Sequence, residues 1–289
     1  MSFLRRPKIE AKSPDQIRLM RQAGLVVADT LALAREMAVA GTTTRQLDAA
    51  AEAAIRSAGA TPSFKGYFGF PASLCISVND EVVHGIPGER VLADGDLVSI
   101  DCGAIVAGWH GDAALSLIVG GIDSPAARPQ DVALMQDTDS ALWAGIGALV
   151  SGERLFDVGD AVEACVEESA RGRAAQGQPL TYGIVEDFVG HGIGTSMHMD
   201  PHIPNYAVEG KGPLVPVGAT VAIEPMVTLG TIDTRTLGDD WTVVTADGSR
   251  AAHWEHTVAV TRSGVWVLTA HDGGEAALGG GRASYAPLD

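Results

Sequence analysis

The segment DLVSIDCGAIVAGWHGDAALSLIVG, residues 96–120, limits the possible folds of this chain more than any other stretch. Two largely apolar runs are separated by a turn near Ala107 and Gly108, which predicts a long antiparallel β-hairpin. Asp101 and Asp112 lie one on each arm, among neighbours that indicate burial. Acidic side chains are rarely fully buried unless they are paired or bind metal, so the hairpin predicts carboxylates that meet a partner inside the protein.

Helical and strand patterns share the rest of the chain. Ser13 and Pro14 are typical of a helix start, and Gly41 and Gly59 are typical of helix ends. Helices are predicted over residues 13–41, 43–59, 131–150 and 157–175, and strands return over 213–230 and 241–269. The 289 residues are enough for one large domain or two small ones.

A short internal echo links the two halves of the sequence. VLADGDLVSID (91–101) is similar to LVPVGATVAIE (214–224). In each copy a glycine is followed six residues later by an acid at the end of an apolar strand, and a histidine-containing loop precedes both. The echo is short enough to arise by chance, so it leaves open whether the halves are duplicated units that deliver carboxylates to a shared centre.

Composition excludes several classes of function. The formal net charge is −16, which argues against broad nucleic-acid binding because phosphate contacts need clustered Lys and Arg. Cys75, Cys102 and Cys165 form no C-x-x-C pair, so we expect no disulfide framework and a reducing cytoplasm. The N-terminus lacks the apolar core of a signal peptide, and no stretch is long and apolar enough to predict a membrane span.

Four acids lie in apolar surroundings: Asp101, Asp112, Glu224 and Glu255. Any one of them could simply lie at a strand end, with its carboxylate capped by backbone amides or by an arginine. No Lys or Arg lies within three positions of any of the four, however. Four gathered carboxylates without cations would repel one another, and some would hold protons. Two divalent ions would neutralise them.

Histidines are concentrated in GHGIGTSMHMDPH, residues 190–202. His191, His198 and His202 could serve metal ligation or proton chemistry, or could belong to a surface loop that is merely rich in histidine. The glycines on both sides of His191 would let the backbone bring its imidazole close to a centre. His198 could be a second ligand or a hydrogen-bond donor to a substrate, and His84 is open to the same alternatives.

Four other histidines are less closely tied to the candidate site. His202 and His253 are the more dispensable ones. His110 and His256 adjoin two of the acids, and we expect strand alternation to direct both to the opposite face of the sheet. A set of oxygen ligands with one imidazole suits Mn, Fe or Co at least as well as Zn. Two such ions about 3.5–4 Å apart can share a hydroxide, because the pKa of the bound water falls to about 7.

Five motifs occur in a fixed order: VNDEVVHGIPG, IDCG…HGDAA, GHGIGTSMHMDP, IEPMV and DDWTVVT…EHTVAV. In that order and spacing they resemble the type I methionine aminopeptidases, in the short bacterial form, of the M24 pita-bread metallopeptidases. The resemblance runs from about residue 13 to residue 270. It implies an N-terminal extension (1–12), a single catalytic domain (13–270) and a low-complexity C-terminal tail (271–289), which we expect to be disordered.

The resemblance also implies a fold and a metal centre. The fold would be α+β, with halves related by a pseudo-twofold axis and a curved antiparallel sheet flanked by helices, which would account for the internal echo. Two divalent ions (Co, Mn, Fe or Zn) would bind each chain. By the resemblance, Asp101 would chelate one ion, Asp112 and Glu255 would bridge both, and His191 and Glu224 would bind the other.

Catalytic roles are implied in the same way. A hydroxide bridging the two ions would attack the scissile carbonyl, and Glu224 would shuttle the proton. His198 would stabilise the carbonyl and the tetrahedral oxyanion, and His84 would contact the substrate backbone. The methionine side chain would lie among sulfur and aromatic groups, although each of these could also be an ordinary core residue: Phe64, Tyr67, Phe70, Cys75, Met197 and Trp241.

Three positions depart from the family pattern. Gly103 stands where a threonine is common, Met199 replaces a common glutamate after the second loop histidine, and His253 stands where glutamine is frequent. These changes affect groups around the ligands, which tune metal affinity. They leave the five expected ligands intact.

The resemblance implies the removal of N-terminal methionine from nascent polypeptides in the cytoplasm, with a small second residue preferred. We expect a transient association with the ribosome, a monomer, and no direct contact with nucleic acid or membrane. One alternative is an Xaa-Pro aminopeptidase or prolidase of the same fold. The other is a binding module that has lost its metals, although no expected ligand is missing here.

Overall fold

The structure is a computed structural model that describes residues 9–278 and 281–288. Four α-helices occur in these ranges: α1 (Pro14–Met37), α2 (Thr44–Ser57), α3 (Pro129–Ala148) and α4 (Asp157–Ala175). One short 3-10 helix, Tyr67–Gly69, lies between α2 and the second strand. The first strands are β1 (Thr61–Pro62), β2 (Leu74–Val78), β3 (Glu81–Val83), β4 (Leu97–Val106) and β5 (Trp109–Ile118). The short strands that follow are β6 (Gly183–Ile184), β7 (Gly190–Gly192), β8 (Met199–Ile203), β9 (Thr220–Ile223) and β10 (Met226–Thr228). The last are β11 (Thr234–Thr236), β12 (Val243–Thr245), β13 (Ala251–His253), β14 (Glu255–Val260) and β15 (Val265–Val267).

One antiparallel sheet dominates the described residues. Its strands follow the order β1-β4-β5-β14-β9-β7-β8, with β2 beside β4 and β15 beside β14. Two small sheets, β13-β10-β6 and β11-β12-β3, lie off this path. The predicted hairpin is confirmed, since β4 and β5 pair from Leu97↔Ile118 to Val106↔Trp109 around Ala107 and Gly108. Both turn residues have positive φ.

The helix starts show why the sequence pattern was informative. Ser13 caps α1 by accepting from the Gln16 N–H, while the Gln16 side chain accepts from the Ser13 N–H. Thr43 and Gln46 make the same capping box at α2. α1 ends at Met37, four residues before the predicted Gly41. Its Gly24 lies so close to the hairpin that a Cβ on Gly111 would come within 2.7 Å of the Gly24 nitrogen.

Two helix pairs cover the same face of the sheet. α1 and α2 pack on β4 and β5 around a core that includes Leu47, Ile100 and Leu115. A second core, which includes Leu142 and Val258, joins α3 and α4 to β9 and β14. The opposite face of the sheet is left free to carry polar side chains. Alternation along the strands therefore separates core residues from candidate site residues.

The internal echo has a structural counterpart. Gly95 and Gly218 have φ of 85° and 87°, and β4 and β9 begin two residues after them, at Leu97 and Thr220. Both copies are thus a left-handed glycine turn that leads into a strand ending at, or passing through, an acid. The two helix pairs and the two glycine turns give the molecule its two-part organisation.

The ends of the chain differ from expectation. Ile9 and Lys12 are buried, and the Lys12 N–H donates to Gly218 O at 2.7 Å; residues 1–8 of the expected extension lie outside the described residues. The expected disorder of the tail is wrong for its described part. Ala283 N–H donates to Gly147 O at 2.8 Å, and Val265 N–H donates to Ser284 O at 2.9 Å.

Small side chains explain this packing of the tail. They make the segment resemble a disordered one in composition, but they also let its backbone approach α3 and β15 closely. A Cβ on Gly281 would lie 2.6 Å from the Gly147 Cα.

The domain limits at residues 12 and 270 stay predictions. Among the described helices, none has the length and apolar character that crossing a bilayer requires.

Candidate metal centre

Strand register brings the hairpin acids and Glu255 together. Asp101 on β4 and Glu255 on β14 both pair with Ala114 of β5, from opposite sides. Asp112 is two residues before Ala114, so its side chain leaves the same face of the sheet. Three carboxylates therefore project from neighbouring strands on the face that the helices do not cover.

The C-terminal half adds an imidazole and the fourth acid to this face. His191 on β7 pairs with Ala222 of β9, and Glu224 follows two residues later on the same side. His191 Nε2 lies 3.4 Å from Glu224 Oε1. One ligand atom from each of Asp112, His191 and Glu255 lies within 4.8 Å of the others. These distances fit a shared cation.

The carboxylates lack the partners that buried acids need. Asp101 Oδ1, Asp112 Oδ1 and Glu255 Oε1 are buried and accept no hydrogen bond. Burial raises the pKa of Asp101 to about 8. Burial, and then the neighbouring acids, raise the pKa values of Asp112, Glu224 and Glu255 well above their usual range. Among the described ion pairs, none joins these four acids to a lysine or arginine.

His191 is oriented as a metal ligand would be. Its Nδ1 lies 3.0 Å from Gly192 O, an atom that only accepts, so Nδ1 carries the proton. Burial, together with His198, lowers the pKa of His191 to about 3, so the ring is neutral at pH 7. The Nε2 lone pair therefore points toward the acids. Orphaned carboxylate oxygens and a neutral imidazole form a donor set that fits divalent cations.

Thr257 holds Asp112 where the sheet forks. β14 pairs with β5 up to His256 and with β15 from Val258 onward, so Thr257 lies at the change of partner. Its backbone already bonds to Leu268 and Thr269. The Thr257 hydroxyl instead accepts from the Asp112 N–H at 3.0 Å and donates to the Asp112 carbonyl at 2.7 Å. The Thr257 hydroxyl thus makes the two hydrogen bonds to the Asp112 backbone that a paired strand residue would otherwise make.

Two more histidines flank the carboxylates. The ring of His198 lies 4.4 Å from that of His191, nearly perpendicular to it, and its Nδ1 is 2.8 Å from the Tyr67 hydroxyl. His84 lies edge-on to Phe188 and to Trp241. Burial lowers the pKa of His84 to about 4, so its ring is also neutral at pH 7.

The expected side-chain pocket opens beside the acids. A cavity of ≈ 240 Å³ is lined by the four acids and the three histidines just described. All six expected pocket residues line the same cavity: Phe64, Tyr67, Phe70, Cys75, Met197 and Trp241. Phe64, Phe70, Cys75 and Met197 are buried and pack together. The structure thus brings every candidate site residue to one cavity, while their individual roles stay predictions.

Sequence reasoning missed some residues of this site. Phe68 and Val83 also line the cavity, but neither belongs to a periodic pattern that would indicate it. The expectation for His110 is wrong: residues 110 and 112 are two apart and share a face, which the alternation rule itself could have shown. His110 Nδ1 lies 3.0 Å from Ser63 Oγ, and burial, followed by the nearby His198, lowers the pKa of His110 to about 4.

The remaining histidines behave as expected or are peripheral. His256 faces away from the acids, with its Nδ1 2.8 Å from Thr269 Oγ1 and its ring near Trp143. His202 is exposed on β8. His253 is buried, and its Nε2 has no hydrogen-bond partner. Neither His202 nor His253 lines the cavity.

Gly103, one of the departures from the family pattern, has a steric reason. It lies between Asp101 and Ile105 on the site face and pairs with Asp112. A Cβ there would come within 2.8 Å of the Ser63 Cβ and 2.9 Å of Phe64 Cε1. The loop that carries Ser63 and Phe64 has closed over the space that a larger residue would fill.

Comparison with known proteins agrees with this geometry. The model of metallopeptidase family M24 matches residues 18–262, so the chain belongs to that family. It is 52% identical to methionine aminopeptidase 1 of Mycobacterium tuberculosis over 264 residues, which cover 90% of this chain and 95% of the relative. It is 43% identical to methionine aminopeptidase 1 of Bacillus subtilis over 261 residues, 90% of this chain and 99% of the relative.

Solved structures confirm the expected α+β pita-bread fold. Methionine aminopeptidase from Thermotoga maritima superposes with a TM-score of 0.82 at 38% identity, covering 91% of this chain and 99% of that one. Prolidase from Pyrococcus furiosus superposes with a TM-score of 0.67 at 19% identity, covering 90% of this chain and 65% of that one. The second likeness shows the fold alone, and it makes the Xaa-Pro alternative the more distant one.

Proposed function

We propose that this chain is a metalloaminopeptidase that removes the initiator methionine from nascent proteins and peptides. The observation that carries the proposal is the shared cavity: one wall is a face of unpaired carboxylates, and the other is a pocket of aromatic and sulfur groups. The first suits metal-dependent hydrolysis, and the second suits an unbranched thioether. Relatives with 43–52% identity that are named methionine aminopeptidases support this assignment.

We infer that two divalent ions would be held by Asp101, Asp112, His191, Glu224 and Glu255. When bound, such ions supply Lewis-acid activation of the scissile carbonyl and of the attacking water. Mn, Fe, Co and Zn are all compatible with an oxygen-rich set that includes one imidazole. The orphaned oxygens of Asp101, Asp112 and Glu255 support this ligand set.

His198 would stabilise the oxygen of the scissile carbonyl. If the Tyr67 hydroxyl donates to His198 Nδ1, the proton of the neutral ring is on Nε2. That N–H can then donate to the carbonyl oxygen and more strongly to the oxyanion that forms in the transition state. In that arrangement Tyr67 would hold the ring in this tautomer and orientation, and its own hydroxyl would act through His198.

Glu224 and His84 complete the proposed chemistry. The raised pKa of Glu224 suits a group that takes a proton from water and gives it to the leaving amine. His84 lines the cavity beside Trp241, and from there its ring would contact the substrate backbone next to the cleaved bond. The walls around Cys75 and Met197 hold the methionine side chain away from water.

The setting of the activity is part of the proposal. We infer a monomer that acts in the cytoplasm on chains with a small second residue. We also infer a transient association with the ribosome, where nascent substrates emerge. The net charge of −16 supports docking on ribosomal protein surfaces rather than on RNA phosphates.

One assay tests the proposal directly. Metal-depleted protein is restored with Mn, Fe, Co or Zn in turn, and the release of the first residue is measured on Met-Ala-Ser and on an Xaa-Pro peptide. Methionine release that depends on added metal, with no cleavage of the Xaa-Pro peptide, is the expected result. Preferential cleavage of the Xaa-Pro peptide would assign the chain to the other activity. Metal binding by calorimetry without any cleavage would indicate a binding module.

A further inference from the structure

Phe68 is the most exposed of the large apolar side chains in the described residues, at 84%, whereas the others range from 41% to 56%. Its backbone is left-handed, with φ 46° and ψ 25°. A glycine or an asparagine adopts that conformation with less strain than a phenylalanine. Neither packing nor backbone geometry therefore accounts for an aromatic residue at this position.

The loop around Phe68 is held by its own backbone. Gly66 N–H donates to Phe70 O at 2.8 Å, and Phe70 N–H donates to Tyr67 O at 2.9 Å. Gly66 and Gly69 take the positive φ values that this tight turn requires. The turn thus fixes the Phe68 backbone, and the exposed ring contacts the Tyr67 ring.

A row of rings leads from Phe68 to the candidate metal centre. The Phe68 ring lies edge-on to Tyr67 at 4.6 Å, Tyr67 lies 5.4 Å from His198, and His198 lies 4.4 Å from His191. Phe68 also lines the cavity. Phe68 therefore forms the outer end of this row of rings. The inner end, at His198, would lie beside the reacting carbonyl.

We propose that Phe68 is a specificity-determining residue that contacts the third residue of the substrate and favours an apolar side chain there. This inference rests on the proposed function. An extended peptide advances about 3.3 Å per residue, so two residues beyond the first bring a side chain into the range between His198 and Phe68. The first side chain is enclosed by buried groups elsewhere, and a small second residue is too short to reach the ring.

The test compares two tripeptides, Met-Ala-Leu and Met-Ala-Ser, on the metal-loaded protein. For the wild type, kcat/KM is expected to be on the order of fivefold higher for the leucine peptide, because part of its side chain is covered by the Phe68 ring. Phe68→Asn, which suits the left-handed backbone, is expected to bring the ratio of the two peptides to about one. Phe68→Tyr keeps the ring and is expected to keep the ratio.

Ile122→Asn serves as the matched control, because Ile122 is an exposed apolar residue (49%) that does not line this cavity. It is expected to keep the wild-type ratio. A wild-type ratio near one, or an unchanged ratio in Phe68→Asn, would overturn the inference. So would a change in the choice between methionine and norleucine as first residue, which would place Phe68 in the methionine pocket. Failure of the wild type to release methionine from either peptide would instead reject the proposed function.

Discussion

The cavity has two walls that are built in different ways. The carboxylate wall lies on strands, and its members, Asp101, Asp112 and Glu255, are set by register with a common neighbour, Ala114. Most rings of the aromatic wall lie on the loop from Phe64 to Phe70, which is set by left-handed residues and local hydrogen bonds. A strand wall fixes charges within a few ångströms of one another, whereas a loop wall can change its side chains without disturbing the sheet.

The largest expected effect comes from breaking the carboxylate wall. Asp112→Ala removes a bridging ligand and is expected to lower kcat/KM on the order of a thousandfold or more. The metal-free variant should stay folded, because losing one of four crowded acids relieves repulsion. Activity, circular dichroism and metal titration by calorimetry measure the three effects.

His191→Ala provides a second test of the same wall from the other half of the molecule. It is expected to lose turnover to a similar degree and also to remain folded. Near-normal activity in either variant would show that the ligand assignment is wrong.

Removal of the metal should make the free energy of unfolding depend on pH, because these acids are crowded together in the folded protein. A carboxyl with a raised pKa in the folded protein binds more protons folded than unfolded. The free energy of unfolding of the metal-free protein should therefore fall as pH rises from about 4, the usual carboxyl range, to about 8, the pKa of Asp101. Metal-loaded protein should show little of this slope. Melting temperatures across that range, with and without metal, measure it, and equal slopes would contradict it.

A smaller effect, on metal affinity, is expected at Thr257, where the sheet forks next to Asp112. Thr257→Val keeps the shape of the side chain but leaves the Asp112 N–H and carbonyl without their shared partner. We expect about tenfold weaker metal binding, because groups behind the ligands tune affinity. Thr257→Ser retains the hydroxyl and should restore most of it. Calorimetry with one metal compares the two variants.

The control for the fork is Thr228→Val, since Thr228 is equally buried on β10 and its hydroxyl donates to Thr231 O. It should lower the free energy of unfolding by about 1 kcal/mol and leave metal affinity unchanged. If both variants weakened metal binding equally, the role of Thr257 would be general stability rather than the positioning of Asp112.

The contrast between the walls also explains what the sequence could predict. The hairpin, the start of α1 at Ser13 and Pro14 and the acid spacing depend on short-range patterns, and the structure has each of them. Phe68 and Val83 depend on how a loop folds back, which no periodicity records. The fork at Thr257 was not foreseen because a threonine in an apolar strand has no distinctive neighbours. The packed tail was missed because small residues are typical both of disorder and of close backbone contact.

The two walls meet at Gly103, where the aromatic loop rests on the hairpin. Gly103→Ala places a Cβ against Ser63 and Phe64, so the loop must shift. We expect a loss of about 1–3 kcal/mol in the free energy of unfolding and a higher KM, because Phe64 lines the methionine pocket. Gly172→Ala on α4 has open space around its Cβ and should instead stabilise by about 1 kcal/mol. If Gly103→Ala raised KM without loss of stability, the loop would be adaptable rather than tightly seated on β4.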